Sequence, residues 1–117
     1  MTATQLAAQK CVPCLGQTPL LSSSRARELL KLIPMWALAP DEKRLTRTWR
    51  VLDFTTGLDF FQRIADVAEA EDHHPDLHLT GYRNVAVEIW THAAGGLTEN
   101  DFILAAKIDT IGEPALK

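Results

Sequence analysis

The sequence lacks any run of about 18 apolar residues, so no helix of it is expected to cross a membrane. Its N-terminus lacks a charged-then-apolar pattern, which argues against a secretory signal. Basic character is scarce: the formal net charge is −3, and Arg44, Arg47 and Arg50 are interleaved with Asp41, Glu42 and Asp53. Without a basic stripe there is little counterion release to gain from a phosphate backbone, so nucleic acid is not expected as a partner. Only two cysteines occur, in Cys11-Val-Pro-Cys14. A zinc site would need two further ligands, and a redox pair should follow a strand and open a helix. This pair lies among Pro13, Gly16 and Pro19, so two thiols in an irregular arm is the favoured reading. Phosphate-loop chemistry is excluded because Gly95-Gly96 has no lysine at the required spacing. No G-x-S-x-G nucleophile elbow is present.

What remains is ordinary for a soluble globular chain: 117 residues, 46% hydrophobic and 23% charged, enough for one domain. Residues 1–21 read as an irregular arm and 22–117 as the domain. Ser22 to Ser24 offer capping hydroxyls to a helix whose Leu29, Leu30 and Ile33 share a face, and Pro34 ends it. Trp36 to Leu38 and Leu45 to Phe54 read as strands, with Leu45, Arg47, Trp49 and Val51 on one side of the second. Thr55 or Thr56 is expected to cap a second helix carrying Phe60, Phe61, Ile64, Val67 and Ala68 as a broad core stripe. His74-Pro75 stops it. Leu77 to Leu79 and Asn84 to Thr91 read as two more strands, and Thr98 to Asp101 as a capping box opening a last helix. The order α-β-β-α-β-β-α, without parallel crossovers, predicts an α+β fold: a four-stranded antiparallel sheet with three helices packed on one face.

All four histidines fall between residues 73 and 92. Imidazole is the side chain whose charge changes nearest neutrality, so a cluster points to proton transfer or to a metal. Glu69 and His73 are four apart, which would set carboxylate against imidazole if the helix reaches that far. An antiparallel return would bring His92 beside His73 and His74, giving three imidazoles suited to acid–base chemistry. Against this, a histidine at a helix end is commonly a dipole partner, and one at a strand end is commonly solvated. His78 fits that bland description best. His74-x3-His78 with Asp76 has metal-ligand types but no established zinc spacing. Trp90 would floor a flat ligand or simply cover the sheet, and Asp101 reads as a carboxylate in the first turn of a helix. The residues alone leave a small acid–base enzyme and a binding module both open.

Glu69-x3-His73-His74-Pro75-x6-Tyr82-x9-His92-x8-Asp101 resembles the motif of the pterin-4a-carbinolamine dehydratase family. The likeness runs through THAAGGLTENDFILAAKID and covers about residues 20 to 110, in the manner of the plant and bacterial branch. It implies a dehydratase that converts 4a-hydroxytetrahydropterin to quinonoid dihydropterin and water, recycling the pterin of aromatic amino-acid hydroxylation. It further implies catalysis by His73, His74 and His92, with His73 and His92 as acid and base and His74 holding the pterin. Asp72, Trp90, Thr91 and Ala93 would line the same pocket, with Glu69, Tyr82 and Asp101 in support. No metal and no separate cofactor are implied, since the pterin is itself the substrate. Homodimers or homotetramers are implied too, with residues 84 to 91 as an exposed pairing edge. The rival expectation is a non-catalytic partner in transcription-factor dimerisation or carboxylase assembly. The compartment is left open between the cytoplasm and an organelle whose transit peptide has been removed.

Overall fold

Alternation along the strands becomes a sheet with one dry face and one wet one. The computed structural model describes residues 1–12 and 19–116, so Cys14 lies outside the described residues. Strands β1 (Ala37–Leu38), β2 (Leu45–Arg50), β3 (Asp76–Thr80) and β4 (Asn84–Ile89) form one antiparallel sheet in the order β1-β2-β4-β3. Leu45, Arg47 and Trp49 of β2 and Val85, Val87 and Ile89 of β4 are buried on one face, while Thr48, Arg50 and Asn84 are exposed on the other. That is the two-residue period of a pleated strand with one side in the core. The most apolar strand, β4, takes the interior of the sheet, and β1 and β3 are its edges. The expectation that residues 84 to 91 form an exposed edge is therefore corrected: long-range pairing with β2 covers them.

Arg47 breaks the apolar face, and the fold partners its two terminal nitrogens while Nε is buried without a hydrogen-bond partner among the described residues. Its Nη1 and Nη2 lie 2.6 and 2.7 Å from Asp109 and Glu113, and its guanidinium stacks 4.4 Å from the Trp49 ring centroid. Asp109 and Glu113 also accept the indole N–H groups of Trp36 and Trp49, so these polar atoms enter the core with partners.

Among the described residues four helices stand on the dry-face side: α1 (Ala3–Ala8), α2 (Ser23–Leu30), α3 (Phe54–Glu71) and α4 (Glu99–Thr110), with α1 packed on α4. The last three are the expected ones, and α2 is capped by Ser22 accepting the Arg25 N–H at 3.2 Å. Helix α3 starts earlier than Thr55 or Thr56 as cap would allow, because Asp53 accepts both the N–H and the hydroxyl of Thr56, at 2.8 and 2.6 Å. Phe60, Ile64 and Ala68 then face the core at helical spacing, and burying a large one of these stabilises by roughly 1.5–3 kcal/mol. Helix α4 is buried nearly all round from Asn100 to Ala106.

The arm supplies α4's outer cover, and at residues 3–8 it is helical where an irregular segment is expected. Thr2 and Gln5 form a reciprocal capping box that starts α1 (Thr2 N–H to Gln5 Oε1 2.8 Å, Gln5 N–H to Thr2 Oγ1 3.1 Å). Leu6 is 1% exposed, and Lys107 of α4 donates to the Ala7 carbonyl at 2.8 Å. Beyond α1, the Cys11 N–H donates to Glu71 Oε1 at 2.9 Å, and the Val12 N–H to Asn100 Oδ1 at 3.0 Å. The arm thus ties the last residue of α3 to the start of α4. In the antiparallel register Asp76 pairs with Glu88, so the chain leaving β4 runs beside the chain entering β3. The end of α3, the start of α4 and the segment after β4 meet at this end of the sheet.

Candidate functional site

The site begins with a reversal of the backbone. Helix α3 ends at Glu71, and Asp72 takes the left-handed conformation (φ 51°, ψ 42°) that short polar side chains tolerate. The turn sends the next two side chains apart. His73 goes inward and is 7% exposed, with Nε2 2.7 Å from Asp101 Oδ1. His74 stays outside, its Nε2 3.1 Å from Glu69 Oε1. Glu69 therefore meets His74 and not His73, correcting the four-residue helical pairing: the left-handed residue takes His73 off the helical path.

Asp101 is wholly buried at the third position of α4, where it satisfies the helix start. Its Oδ2 accepts the Thr98 N–H at 2.8 Å and the Thr91 hydroxyl at 2.9 Å. Thr98 Oγ1 lies 2.8 Å from Thr91 Oγ1, extending the chain of hydroxyls. A carboxylate has only acceptors to offer, so the hydrogen between it and His73 belongs to Nε2. In the neutral ring that tautomer makes Nδ1 the acceptor, and His73 lines the cavity described below. The sequence marked Asp101 as a first-turn carboxylate and as a motif member; the structure makes it both at once, cap and imidazole partner.

His92 arrives from the other side. Beyond β4 the Thr91 N–H donates to the Gly96 carbonyl at 2.9 Å and the Gly95 N–H to the His92 carbonyl at 3.2 Å, a tight return in which Gly95 has φ 71°. Its imidazole stacks on Trp90, with centroids 3.9 Å apart and planes at 25°. The Trp90 indole N–H reaches Asp76 Oδ2 at 3.2 Å. Between the two segments lies an open cavity of about 340 Å³, lined by residues 72–76 on one side and 90–93 on the other.

Asp72, His73, His74, Trp90, Thr91, His92 and Ala93, named from the sequence, all lie on that lining, and Glu69 and Asp101 contact it through histidines. Tyr82 does not. It sits with φ 57° in the β3–β4 hairpin turn at the opposite end of β3, roughly 15 Å from the cavity at strand rise, against Arg83. His78 pairs with Glu88 at 3.0 Å on the wet face. His74, Asp76 and His78 thus turn to three different partners, Glu69, Trp90 and Glu88, and do not converge as the metal reading requires. Sequence reasoning missed Asp76 as the anchor of Trp90 and Thr98 as the anchor of the hydroxyl chain. Asp76 follows His74-Pro75 directly and Thr98 opens the capping box, so adjacency to motif residues was the available signal. Three imidazoles around one cavity, one of them backed by a buried carboxylate, are groups of the kind that can move protons to and from a ligand.

A family model described as Pterin 4 alpha carbinolamine dehydratase matches residues 19–111. The chain is 57% identical over 109 residues to the mitochondrial pterin-4-alpha-carbinolamine dehydratase 2 of Arabidopsis thaliana, covering 91% of this chain and 58% of that protein. A putative pterin-4-alpha-carbinolamine dehydratase of Methylococcus capsulatus is 42% identical over 115 residues, covering 98% of this chain and 100% of the relative. Among solved structures, one described as a transcriptional coactivator/pterin dehydratase from Brucella melitensis superposes with a TM-score of 0.74 at 32% identity, covering 81% of this chain and 100% of that one. The chain thus spans little more than half of the plant relative and the whole of the bacterial ones.

Proposed function

Because the chain belongs to the pterin 4 alpha carbinolamine dehydratase family, we propose that it eliminates water from a 4a-hydroxytetrahydropterin to give the quinonoid dihydropterin. One observation carries the reading of its site: three imidazoles from two chain segments surround one cavity, and the innermost is fixed by a buried carboxylate.

The reaction removes a proton from ring N5 and a hydroxide, as water, from C4a. Electrons are redistributed within the substrate, so no external oxidant or reductant enters the balance and no further cofactor is called for. His73 is the base. Its Nε2–H is committed to Asp101, its Nδ1 can accept the N5 proton, and the carboxylate behind it favours the imidazolium that results. His92, exposed on the opposite side, is the acid that protonates the departing 4a-hydroxyl and is recharged from solvent. Each contributes on the order of 10²-fold or more. His74, held by Glu69, and the Asp72 carboxylate orient the polar ring edge of the pterin. The product re-enters hydroxylation chemistry after reduction, which makes the role one of cofactor recycling. The chain also self-associates. Edge strand β3 pairs only with β4 among the described residues, and its free side offers main-chain groups to a second copy.

The test is the decay of freshly generated 4a-hydroxytetrahydropterin, followed by absorbance, with wild type and with His92→Ala. Acceleration by wild type that falls by about 10²-fold or more in the variant supports the assignment. Equal rates in both overturn the role of His92. A folded wild type without any acceleration would redirect attention to a coactivator role such as the Brucella relative's description names.

A further inference from the structure

A tryptophan beside a ligand cavity invites the reading of a floor on which a flat substrate stacks. In this protein the indole is already engaged on several sides. The His92 ring lies against it with centroids 3.9 Å apart, and the Arg44 guanidinium stands 5.2 Å from its centroid. Its N–H is held by Asp76 at 3.2 Å, while Arg44 is tethered to Glu88 at 3.5 Å. Arg44 directly precedes β2, Asp76 opens β3 and Trp90 follows β4, so groups at the ends of two other strands fix one ring. His92 lacks such fixing of its own: it is exposed, and its imidazole makes no hydrogen bond to another described residue. His73 has Asp101; His92 has only the stack.

We infer that Trp90 is the positioning residue of His92, holding that imidazole toward the cavity as Asp101 holds His73, and that it does not serve as the stacking floor for substrate. Resting on the dehydratase reading, this assigns the two histidines different supports: a carboxylate for the base and an aromatic stack for the acid. An exposed imidazole freed of its stack spreads over several side-chain rotamers, and only a fraction of molecules then present the ring to the 4a-hydroxyl.

The experiment compares Trp90→Leu and Trp90→Phe with wild type in the intact chain. The leucine variant is expected to lose roughly three- to tenfold in kcat, the scale of one aromatic pair, with KM within about twofold of wild type. The phenylalanine variant, which can still stack, should recover most of that loss. A rise in KM with kcat intact would make Trp90 a substrate platform and overturn the inference, as would leucine and phenylalanine variants equal to each other. A second readout needs no turnover. Ring current from Trp90 should shift the His92 carbon-bound protons upfield in the NMR spectrum, resonances identified by their disappearance in His92→Gln, and Trp90→Leu should abolish that shift. An unshifted His92 in wild type overturns the stack itself. Wild type that keeps the shift but does not accelerate dehydration supports the stack and overturns the functional reading instead.

Discussion

Replacing Asp101 by asparagine exchanges one carboxylate oxygen for an amide nitrogen at nearly constant volume, so it tests the charge and acceptor pattern alone. Three donors converge on the native side chain: His73 Nε2–H at 2.7 Å, the Thr91 hydroxyl at 2.9 Å and the Thr98 N–H at 2.8 Å. The backbone N–H of Thr98 cannot become an acceptor, so the amide oxygen must face it. The amide nitrogen is then left facing His73. Two donors cannot share that contact, so His73 has to move its hydrogen to Nδ1 and accept at Nε2. The nitrogen proposed to take the substrate proton now carries one. We expect kcat to fall by about 10²–10³-fold with little change in KM. A charge-assisted hydrogen bond has become a neutral one, and global stability should fall by only about 1–2 kcal/mol. Urea unfolding measures the second quantity, pterin decay the first, and imidazole ¹⁵N shifts of His73 report which nitrogen is protonated. Wild-type kcat in Asp101→Asn, or an unchanged Nε2–H tautomer, would refute the reasoning.

Other consequences follow from the same geometry. His78→Ala, whose native partner Glu88 lies on the wet face, should leave kcat and KM within about twofold of wild type, since it touches no group at the cavity; a large loss would return weight to a metal reading, which elemental analysis would check. Leu6→Ala should destabilise the chain by about 2 kcal/mol in urea titration, the low end for a buried leucine because α1 can detach without unfolding the sheet; a neutral result would mean the arm does not pack in solution. The Asp53 carboxyl is held below the usual carboxylate range by the Thr56 hydroxyl and then by the Thr56 N–H. Such a lowered pKa adds stability above the unfolded carboxylate range that is lost as pH falls through the folded value. The gap in melting temperature between wild type and Asp53→Ala should therefore be full at about pH 7 and close below roughly pH 4, and a gap independent of pH would contradict it.

Local periodicity was legible and long-range pairing was not. The alternation of Asn84 to Thr91 identified a strand, but nothing in it says that β2, over 30 residues away, takes one side and β3 the other. That is why the most apolar strand was expected at an edge. Helix α1 escaped notice because its six residues show no period; a capping box and the burial of Leu6 against α4 stabilise it. At the site, the histidine cluster was readable from residue type and spacing, whereas its neighbours Asp72, Thr91 and Ala93 came only from the family resemblance; all three lie on the cavity wall with His73, His74 and His92. Their partners were harder. Glu69 was matched to the wrong histidine because a single left-handed residue, Asp72, rotates the chain between them. Tyr82 shares the motif's spacing but lies past the far end of β3, since a hairpin carries successive motif positions to opposite ends of a sheet. The bond from His73 to Asp101 spans 28 positions and exists only once α3 and α4 are packed side by side.

In the proposed reaction His73, backed by Asp101, takes a proton from a bound hydroxytetrahydropterin. The most direct test is the decay rate of freshly generated 4a-hydroxytetrahydropterin with wild type and with His73→Ala, both shown folded by circular dichroism. Wild type is expected to accelerate decay clearly over the spontaneous rate, and the variant to lose at least about 10²-fold of that acceleration. Equal acceleration by both proteins would contradict it.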